Sequence, residues 1–311
     1  MVCQSERVTE YNIGKLSIVK IENVALFDVE KVFDCGQSFR FDRVGSTAHE
    51  KEFSGAAMGK YISVAQDGDT VYIYNSTLED YESIWRTYLS LDRDYGDINE
   101  NIASLSQNPA LIDAIDRSAG IRILKQDEWE AVCSFIISQN NNIPRIKKLV
   151  AALSMACGER LDVAGMDGHI SEIHLENEGN LYSFPSPERV MALGIDGLAA
   201  LKTGFRAKYI FDAAEKICTG KLDLADVKNC DHTAQAIEKL CTVKGIGLKV
   251  ASCALLFGFA RLDAFPIDVW IKKVMAKYFD PDFDPSELGD YAGIAQQYLF
   301  YYERYLQSKD I

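Results

Sequence analysis

The spacing of apolar residues changes once along this chain, near residue 78, and the change limits the fold more than any other feature. Before it, apolar and polar residues alternate. The stretch KYISVAQDGDTVYIYNS contains two alternating runs on either side of Asp67-Gly68-Asp69. Alternation around a short Asp/Gly turn is typical of a β-hairpin, and SFRFDRV predicts a further short strand. The first part of the chain is therefore expected to be antiparallel β structure.

After residue 78 the apolar residues follow the period of an α-helix. One apolar stripe, in EWEAVCSFIISQ, consists of Trp129, Val132, Cys133, Ile136 and Ile137. Similar stripes start at Ile210, Val250 and Ile271. The pattern predicts an α+β fold, with an N-terminal antiparallel β domain and its following helix over 1–110 and an all-α core of two helical subdomains over 111–311. The segment 161–180 is expected to be a long loop.

Composition and cysteine usage exclude several classes of protein. With 48% hydrophobic and 25% charged residues among 311, the chain has the composition of a soluble globular protein. It contains no bilayer-spanning apolar run, and MVCQSERVTEYNIGK lacks the apolar core expected of a signal peptide. The cysteines form no CxxC pair and none follows Cys253, so no iron–sulfur cluster is expected. The histidines show no zinc spacing. We expect a cytoplasmic protein with reduced thiols, no membrane contact and no required cofactor.

The net charge of −13 argues at first against a nucleic-acid partner. Its distribution weakens this objection, because 161–180 carries five acidic residues and no Lys or Arg, and 280–290 carries five more acidic residues. Without these ten, the rest of the chain has a net charge of −3. The acidic surface could therefore lie away from a binding face.

The stretch AIEKLCTVKGIGLKVASCALLFGFA, at about residues 234–260, predicts two helices joined by the turn Lys244-Gly245-Ile246-Gly247. Glycines let such a turn adopt positive φ and let a phosphate approach the backbone. The N–H groups that start the second helix would then bind DNA phosphate without reading sequence, as in a helix-hairpin-helix. The alternative is a plain corner between two helices, and GxG alone does not distinguish the two.

Lys249 lies in the first turn of that second helix, next to Val250 on the apolar stripe and four residues before Cys253. Partial burial and the positive end of the helix dipole disfavour the charged form of an amine, which favours a nucleophilic lysine. The alternative is a lysine whose stem lies on apolar surface while its ammonium reaches out to a phosphate.

Asp268 follows Pro266 and directly precedes an amphipathic helix, the usual position of an N-cap. Capping alone would explain it, but Asp268 and Lys249 can also meet. The helix that starts at Lys249 spans about 17 Å, and the loop 261–267 can return about 23 Å. A carboxylate beside a neutral amine would pair an electrostatic stabiliser with a nucleophile.

The stretch SFIISQNNNIPRIKKLV ends an apolar helix in Gln139 and three asparagines. Consecutive asparagines are poor helix formers but supply many donors and acceptors in a small space. Such a turn could enter a duplex and hydrogen-bond an unpaired base, or it could be a simple polar loop.

Seven stretches together resemble the 8-oxoguanine DNA glycosylase/lyase family of the helix-hairpin-helix DNA glycosylase superfamily, in its bacterial-type form. In the family's order they are CGQSFRF, YLSLDRDY, SFIISQNNNIPRI, GFRAKYI, VKGIGLKVASC, FPIDVW and GIAQQYLF. The resemblance implies a monomeric enzyme of base excision repair that flips 8-oxoguanine out of duplex DNA opposite cytosine, excises it and nicks the strand. Lys249 would attack the anomeric carbon and form a Schiff base, and Asp268 would stabilise the cationic sugar.

The resemblance also implies a pocket for the damaged base. The C=O of Gly36 would accept the N7–H that oxidised guanine has and guanine lacks. Cys253 and Phe300 would sandwich the flipped base, and Gln296 would hydrogen-bond its Watson–Crick edge.

For the opposite strand, the resemblance implies that Asn140, Arg145 and Arg206 hold the orphaned cytosine while Phe205 wedges beside it. Arginine forks suit cytosine because its O2 and N3 are both acceptors. The alternative is that both arginines contact only phosphates, which would give affinity without discrimination.

The hairpin would supply two further sites. The phosphate-binding residues would be Gly245, Gly247 and Val250. A structural monovalent cation would bind the backbone carbonyls of Cys241, Val243 and Ile246.

The sequence departs from the family pattern at three positions. Trp270 stands where eukaryotic members have a phosphate-binding histidine, Ser252 stands where an acid is common, and Phe205 replaces the usual tyrosine.

Two other functions fit parts of the sequence. An alkylpurine DNA glycosylase of the same fold would use water and Asp268 alone, and Lys249 argues against it. A non-catalytic helix-hairpin-helix DNA-binding protein would need neither the pair of Lys249 and Asp268 nor a base pocket.

Overall fold

The N-terminal part is an antiparallel β-sheet, as the alternating pattern predicts. The computed structural model describes residues 6–166 and 178–306. The strands are β1 (Arg7–Ile13), β2 (Leu16–Glu22), β3 (Phe41–Arg43), β4 (Lys51–Ala57), β5 (Lys60–Asp67) and β6 (Thr70–Tyr74). They pair in the order β1-β2-β6-β5-β4-β3. The predicted hairpin is β5 and β6, whose last pair joins Asp67 to Thr70.

One short helix lies between β2 and β3 in the sequence, and the other helices follow the sheet. Together they make an α+β fold. The α-helices are α1 (Val29–Phe33), α2 (Leu78–Asp80), α3 (Arg86–Tyr88), α4 (Tyr95–Leu105), α5 (Pro109–Arg117), α6 (Glu128–Ser138), α7 (Ile143–Cys157), α8 (Pro187–Ala200), α9 (Ala207–Cys218), α10 (Leu224–Lys228), α11 (Thr233–Cys241), α12 (Leu248–Gly258), α13 (Val269–Tyr278) and α14 (Ala292–Tyr301). Among the described residues, none of the helices is long and apolar enough to cross a membrane. Residues 167–177 of the expected loop lie outside the described residues.

The molecule has two main cores. One lies between the sheet, α1 and the segment around the buried Trp85, and includes Phe33 stacked on Phe41 with ring centres 4.1 Å apart. The larger core lies among the helices, and the stripe of α6 is buried in it as predicted. The expected division near residue 110 stays a prediction.

The loop between α1 and β3 carries N-terminal residues into the helical core. Cys35 and Phe39 are buried among helical residues although they precede most of the sheet. Gln37 is fully buried and fixes the loop: its Nε2 donates to the carbonyls of Val32 and Arg122, each at 2.8 Å, and its Oε1 accepts from the N–H of Leu124 at 2.9 Å. The N-terminal part of the chain thereby contributes one short loop, between α1 and β3, to the helical core.

Candidate active site

A small cavity of about 70 Å³ adjoins a wider cleft of about 800 Å³. The residues that line both spaces are Gly36, Phe135, Lys249, Asp268 and Phe300. Cys253 and Gln296 complete the set in the small cavity. The structure thus brings together all six residues that the sequence predicts for catalysis and for the damaged base.

Lys249 is the second residue of α12 and is half-buried. Its Nζ lies 5.9 Å from the centre of the Phe135 ring, and Phe135 stacks on Phe257 with ring centres 5.3 Å apart. The amine therefore lies against an aromatic wall. The predicted apolar stripe of α6 does not include Phe135. The burial of Phe135 could have been predicted because EWEAVCSFIISQ is apolar on more than one face, which indicates a helix buried on several sides.

Asp268 caps the N-terminus of α13. Its Oδ1 accepts hydrogen bonds from the N–H groups of Trp270 at 2.9 Å and Ile271 at 2.8 Å. Because one oxygen accepts both bonds, the cap does not require the second oxygen of the carboxylate. The carboxylate is thus held by the helix while it lines the cavity beside Lys249.

Cys253 forms part of the cavity wall and is 5% exposed. Burial raises the pKa of its thiol; the charge of Lys249 opposes this shift and the charge of Asp268 adds to it. Both charged groups therefore act on the same point of the wall. A neutral thiol is a small apolar surface, which suits the face of an aromatic ring.

Gln296 lines the cavity from α14 and is 4% exposed. Its Oε1 has no hydrogen-bond partner among the described residues. The neighbouring Gln297 differs, because its Nε2 donates to the carbonyl of Cys35 at 3.0 Å. A buried acceptor without a partner costs about 1–3 kcal/mol. Gln296 is therefore placed to bind a polar ligand in the cavity.

The hairpin turn connects α11 to α12, as the sequence predicts, but its two glycines differ. Gly245 has φ +80°, and a Cβ there would lie 2.3 Å from the Tyr209 ring, so glycine is required. Gly247 has a φ of −110°, which any residue can adopt, so of the two glycines Gly245 alone gives the turn a positive φ. Apart from the residues next to it in the chain, no described residue comes within 4 Å of a Cβ built on Gly247, which lines the wider cleft. Open space at this backbone is what an external ligand would need.

Arg206 is 4% exposed and binds the asparagine turn. Its Nε donates to the carbonyl of Gln139 at 3.0 Å, and its Nη2 donates to the carbonyls of Gln139 and of Asn140, the latter at 3.1 Å. Its Nη1 donates to Thr203 at 3.2 Å. These bonds engage four of the five N–H donors of a guanidinium. They support the backbone at Asn140, which has φ +47° and lines the wider cleft.

The other two residues predicted to contact the opposite strand are exposed. Arg145 lies in the first turn of α7, and its charge lowers the pKa of Arg206 together with the larger effect of burial. Phe205 is 46% exposed, and its ring lies 4.4 Å from the Arg206 guanidinium carbon. Arg145, Phe205 and Arg206 are not among the described residues that line the wider cleft. They flank the asparagine turn instead.

The wider cleft is positive although the chain is acidic. The charged groups among its described lining residues are Lys249, Lys272, Arg304 and Asp268. Arg304 was not predicted; its guanidinium carbon lies 5.5 Å from the centre of the Phe300 ring. Trp270 also lines the cleft, with the Nζ of Lys273 4.7 Å from its ring centre. A local excess of positive charge suits a polyanion.

Of the three carbonyls predicted to bind a cation, that of Val243 accepts from the N–H of Ile246 at 3.1 Å. Cys241 is the last residue of α11. Within the described part of the chain, no group of three or more His, Cys, Asp or Glu residues could hold a metal ion.

Known families match both parts of the chain. Residues 18–132 match the N-terminal domain of 8-oxoguanine DNA glycosylase, and residues 133–288 match the HhH-GPD superfamily of base excision DNA repair proteins. A Clostridium acetobutylicum 8-oxoguanine glycosylase/lyase, solved with double-stranded DNA containing cytosine opposite 8-oxoG, is 34% identical and has a TM-score of 0.82. The match covers 98% of this chain and 99% of that one. The chain belongs to the 8-oxoguanine DNA glycosylase family.

Two less similar proteins share part of the sequence or the fold. The Arabidopsis thaliana N-glycosylase/DNA lyase OGG1 is 29% identical over 201 residues, which are 58% of this chain and 51% of that protein. The chain therefore spans about half the length of this curated relative. An Archaeoglobus fulgidus 3-methyladenine DNA glycosylase shares the fold, with a TM-score of 0.67 at 18% identity over 92% of this chain and 98% of that one.

Proposed function

We propose that this chain is a bifunctional DNA glycosylase and AP lyase that removes 8-oxoguanine paired with cytosine from duplex DNA. It would act in the compartment that contains the cell's DNA. The observation that carries the proposal is the cavity in which Lys249 and Asp268 lie beside the unsatisfied Oε1 of Gln296. A structural cavity would have no need of a lysine, a carboxylate and an unpaired amide oxygen together.

The chemistry follows from the pair. The amine of Lys249 attacks C1′ of the damaged nucleotide as the bond from C1′ to the base breaks, and the negative charge of Asp268 stabilises the positive sugar. The amine gives up one proton to the departing base, and the bond from C1′ to the ring oxygen O4′ then breaks as O4′ takes a proton from water. The protonated Schiff base that remains makes the C2′ proton acidic. Loss of that proton expels the 3′ phosphate by β-elimination, and hydrolysis of the imine returns Lys249.

Recognition of the base uses the remaining cavity groups. The loop held by Gln37 presents the C=O of Gly36, which would accept N7–H of 8-oxoguanine and repel the N7 lone pair of guanine. Cys253 and Phe300 provide apolar faces for the ring, and the amide of Gln296 meets its polar edge. Discrimination then depends on one hydrogen-bond donor that normal guanine lacks.

Opposite the lesion, we propose that Arg145 is the principal reader of cytosine. It is exposed, whereas Arg206 has four of its five donors on backbone carbonyls and can offer one N–H to a base. Arg206 would mainly hold Asn140 in place, and Phe205 would fill the gap left by the flipped base.

The hairpin would hold the DNA backbone. The first helical hydrogen bond of α12 runs from the N–H of Ala251 to the carbonyl of Gly247, which leaves the N–H groups before it, including that of Val250, for an anion. The open space at Gly247 would let a phosphate approach, and Gly245 would meet it with the backbone of the turn. A monovalent cation on the carbonyls of Cys241, Val243 and Ile246 would strengthen this contact, and no other cofactor is required.

The test is incubation of the protein with a duplex containing 8-oxoguanine opposite cytosine, with and without borohydride. Borohydride should trap a covalent adduct, and Lys249→Gln should abolish both the adduct and base release. Lys221→Gln, which removes an exposed lysine from the turn after α9, is the control and should behave as wild type. Normal base release by Lys249→Gln would refute the assignment of the nucleophile. Base release by the wild type without an adduct would point to water as the nucleophile, as in an alkylpurine glycosylase.

A further inference from the structure

Helix α9 is fastened to the hairpin turn by a buried carboxylate. Asp212 is 5% exposed, and its Oδ2 accepts from the backbone N–H of Lys244 at 2.8 Å and from the Nζ of Lys216 at 2.7 Å. Its Oδ1 lies 3.3 Å from the exposed Nζ of Lys244. One carboxylate therefore contacts the turn through its backbone and through a side chain.

The lysine of this pair contacts the turn as well. The Nζ of Lys216 donates to the carbonyl of Thr242 at 2.5 Å, so Asp212 and Lys216 hold the two sides of the turn. One helical turn before Asp212, the ring of Tyr209 fills the space where a Cβ of Gly245 would lie. Three residues on one face of α9 thus fix the conformation of the turn.

The contacts join two parts of the proposed site. Helix α9 begins directly after Phe205 and Arg206, and the hairpin turn leads directly to Lys249 in α12. Tyr209 also packs edge-on against Phe205, with ring centres 5.8 Å apart. A displacement of the turn relative to α9 would therefore move the nucleophile relative to the residues beside the opposite strand.

The charge of Asp212 is a potential obstacle to DNA binding. A carboxylate beneath a turn that binds phosphate would repel the DNA, unless neighbouring cations neutralise it. Burial opposes ionisation, but hydrogen bonds from Lys216 and from the backbone and side chain of Lys244 outweigh it and lower the pKa of Asp212. The carboxylate is therefore ionised at neutral pH, and its negative charge is offset by the ammonium groups of Lys216 and Lys244.

We propose that Asp212 and Lys216 are a positioning pair for this reaction: Asp212 holds the hairpin turn in its DNA-binding conformation, and Lys216 neutralises Asp212 so that the turn accepts a phosphate. The proposal rests on the proposed function of the hairpin. Neither residue touches the reacting atoms.

A double-mutant cycle tests the pair with Asp212→Asn, Lys216→Met and the double variant. The measurements are the Kd for a duplex carrying a non-cleavable abasic-site analogue, the single-turnover excision rate with excess enzyme, and thermal unfolding. Lys216→Met removes the ammonium that lies 2.7 Å from Asp212 and leaves only the exposed ammonium of Lys244, at 3.3 Å, so binding should weaken about tenfold or more. Asp212→Asn keeps an acceptor for the N–H of Lys244 and should bind nearly as wild type. The double variant should recover the affinity of Asp212→Asn.

A fourth variant, Asp212→Ala, removes the acceptor itself. The measurement is made at a temperature at which the thermal unfolding curve shows Asp212→Ala to be folded. There, Asp212→Ala should excise the base about tenfold more slowly than wild type even at saturating enzyme, while Asp212→Asn should excise it at nearly the wild-type rate. A double variant as weak as Lys216→Met, or a saturated excision rate of Asp212→Ala equal to wild type, would overturn the proposal. If the wild type itself neither binds the analogue duplex nor excises the base, the proposed function fails instead, so the two failures are distinguishable.

Discussion

The replacement Asp268→Asn separates the two roles of one side chain. In the folded protein both cap hydrogen bonds, from Trp270 and Ile271, go to the same oxygen, and an asparagine oxygen can accept both. Asn and Asp are about equally good N-caps, so the free energy of unfolding should change by only a few tenths of a kcal/mol. Asp268→Ala removes the cap and should cost about 1 kcal/mol.

The same replacement should have a large effect on catalysis. A positive centre that develops about 4 Å from a carboxylate is stabilised by about 4 kcal/mol at an effective dielectric constant of 20. The asparagine amide keeps only a small part of this. Loss of one preorganised electrostatic group typically lowers the rate by about 10²–10³. We expect Asp268→Asn to slow base excision by that factor.

Single-turnover excision with enzyme in excess measures this effect apart from product release, and chemical denaturation measures stability on the same samples. The matched control is Asp94→Asn at the start of α4, where Oδ1 also accepts two N–H groups, from Gly96 at 2.8 Å and Asp97 at 3.2 Å. This variant should excise the base at the wild-type rate. If Asp268→Asn also did so, Asp268 would be a helix cap and nothing more.

Three further predictions follow from the same geometry. Gly247→Ala should lose about 1 kcal/mol or less of unfolding free energy, because alanine can adopt the φ of −110° and is only a modestly worse N-cap. It should nevertheless weaken duplex binding strongly in an equilibrium titration, and an affinity equal to wild type would show that no phosphate binds at this turn. Arg145→Met should cleave the lesion opposite adenine faster relative to cytosine, as single-turnover rates on all four opposite-base duplexes will show, and a wild type indifferent to the opposite base would contradict its role. Because the pKa of Asp212 is lowered in the folded chain, its contribution to stability is present above about pH 4 and is lost as the pH falls further. The difference in unfolding free energy between wild type and Asp212→Asn should therefore shrink as the pH is lowered below about 4.

Local patterns predicted the parts of the site that depend on neighbouring residues. Three features depend only on residues within a few positions of one another: the cap at Asp268, the apolar stripe of α12 next to which Lys249 lies, and the turn before α12. The meeting of Lys249 and Asp268 was also within reach, because chain length and helix rise limit where the loop can end. These features need no knowledge of the tertiary structure.

Other features could not be predicted because they depend on contacts between distant segments. The burial of Arg206 requires the carbonyls of Gln139 and Asn140, which lie 67 and 66 positions away. The bond from Lys244 to Asp212 joins residues 32 apart. The different conformations of Gly245 and Gly247 could not be told apart from the sequence either, because a glycine with positive φ and a glycine with open space beside it are the same letter.

The fixation of the Gly36 loop has a consequence for the order of folding. Gln37 binds the carbonyl of Arg122, 85 positions later, and the carbonyl of Cys35 receives its hydrogen bond from Gln297, 262 positions later. Contacts that close such long loops form late, because the entropy of closing the loop must be overcome first. During synthesis, the loop that carries Gly36 therefore stays incomplete until α14 has left the ribosome. A chain that stops before α14 would contain the hairpin, yet it would lack Gln296 and Phe300 of the proposed pocket for the damaged base.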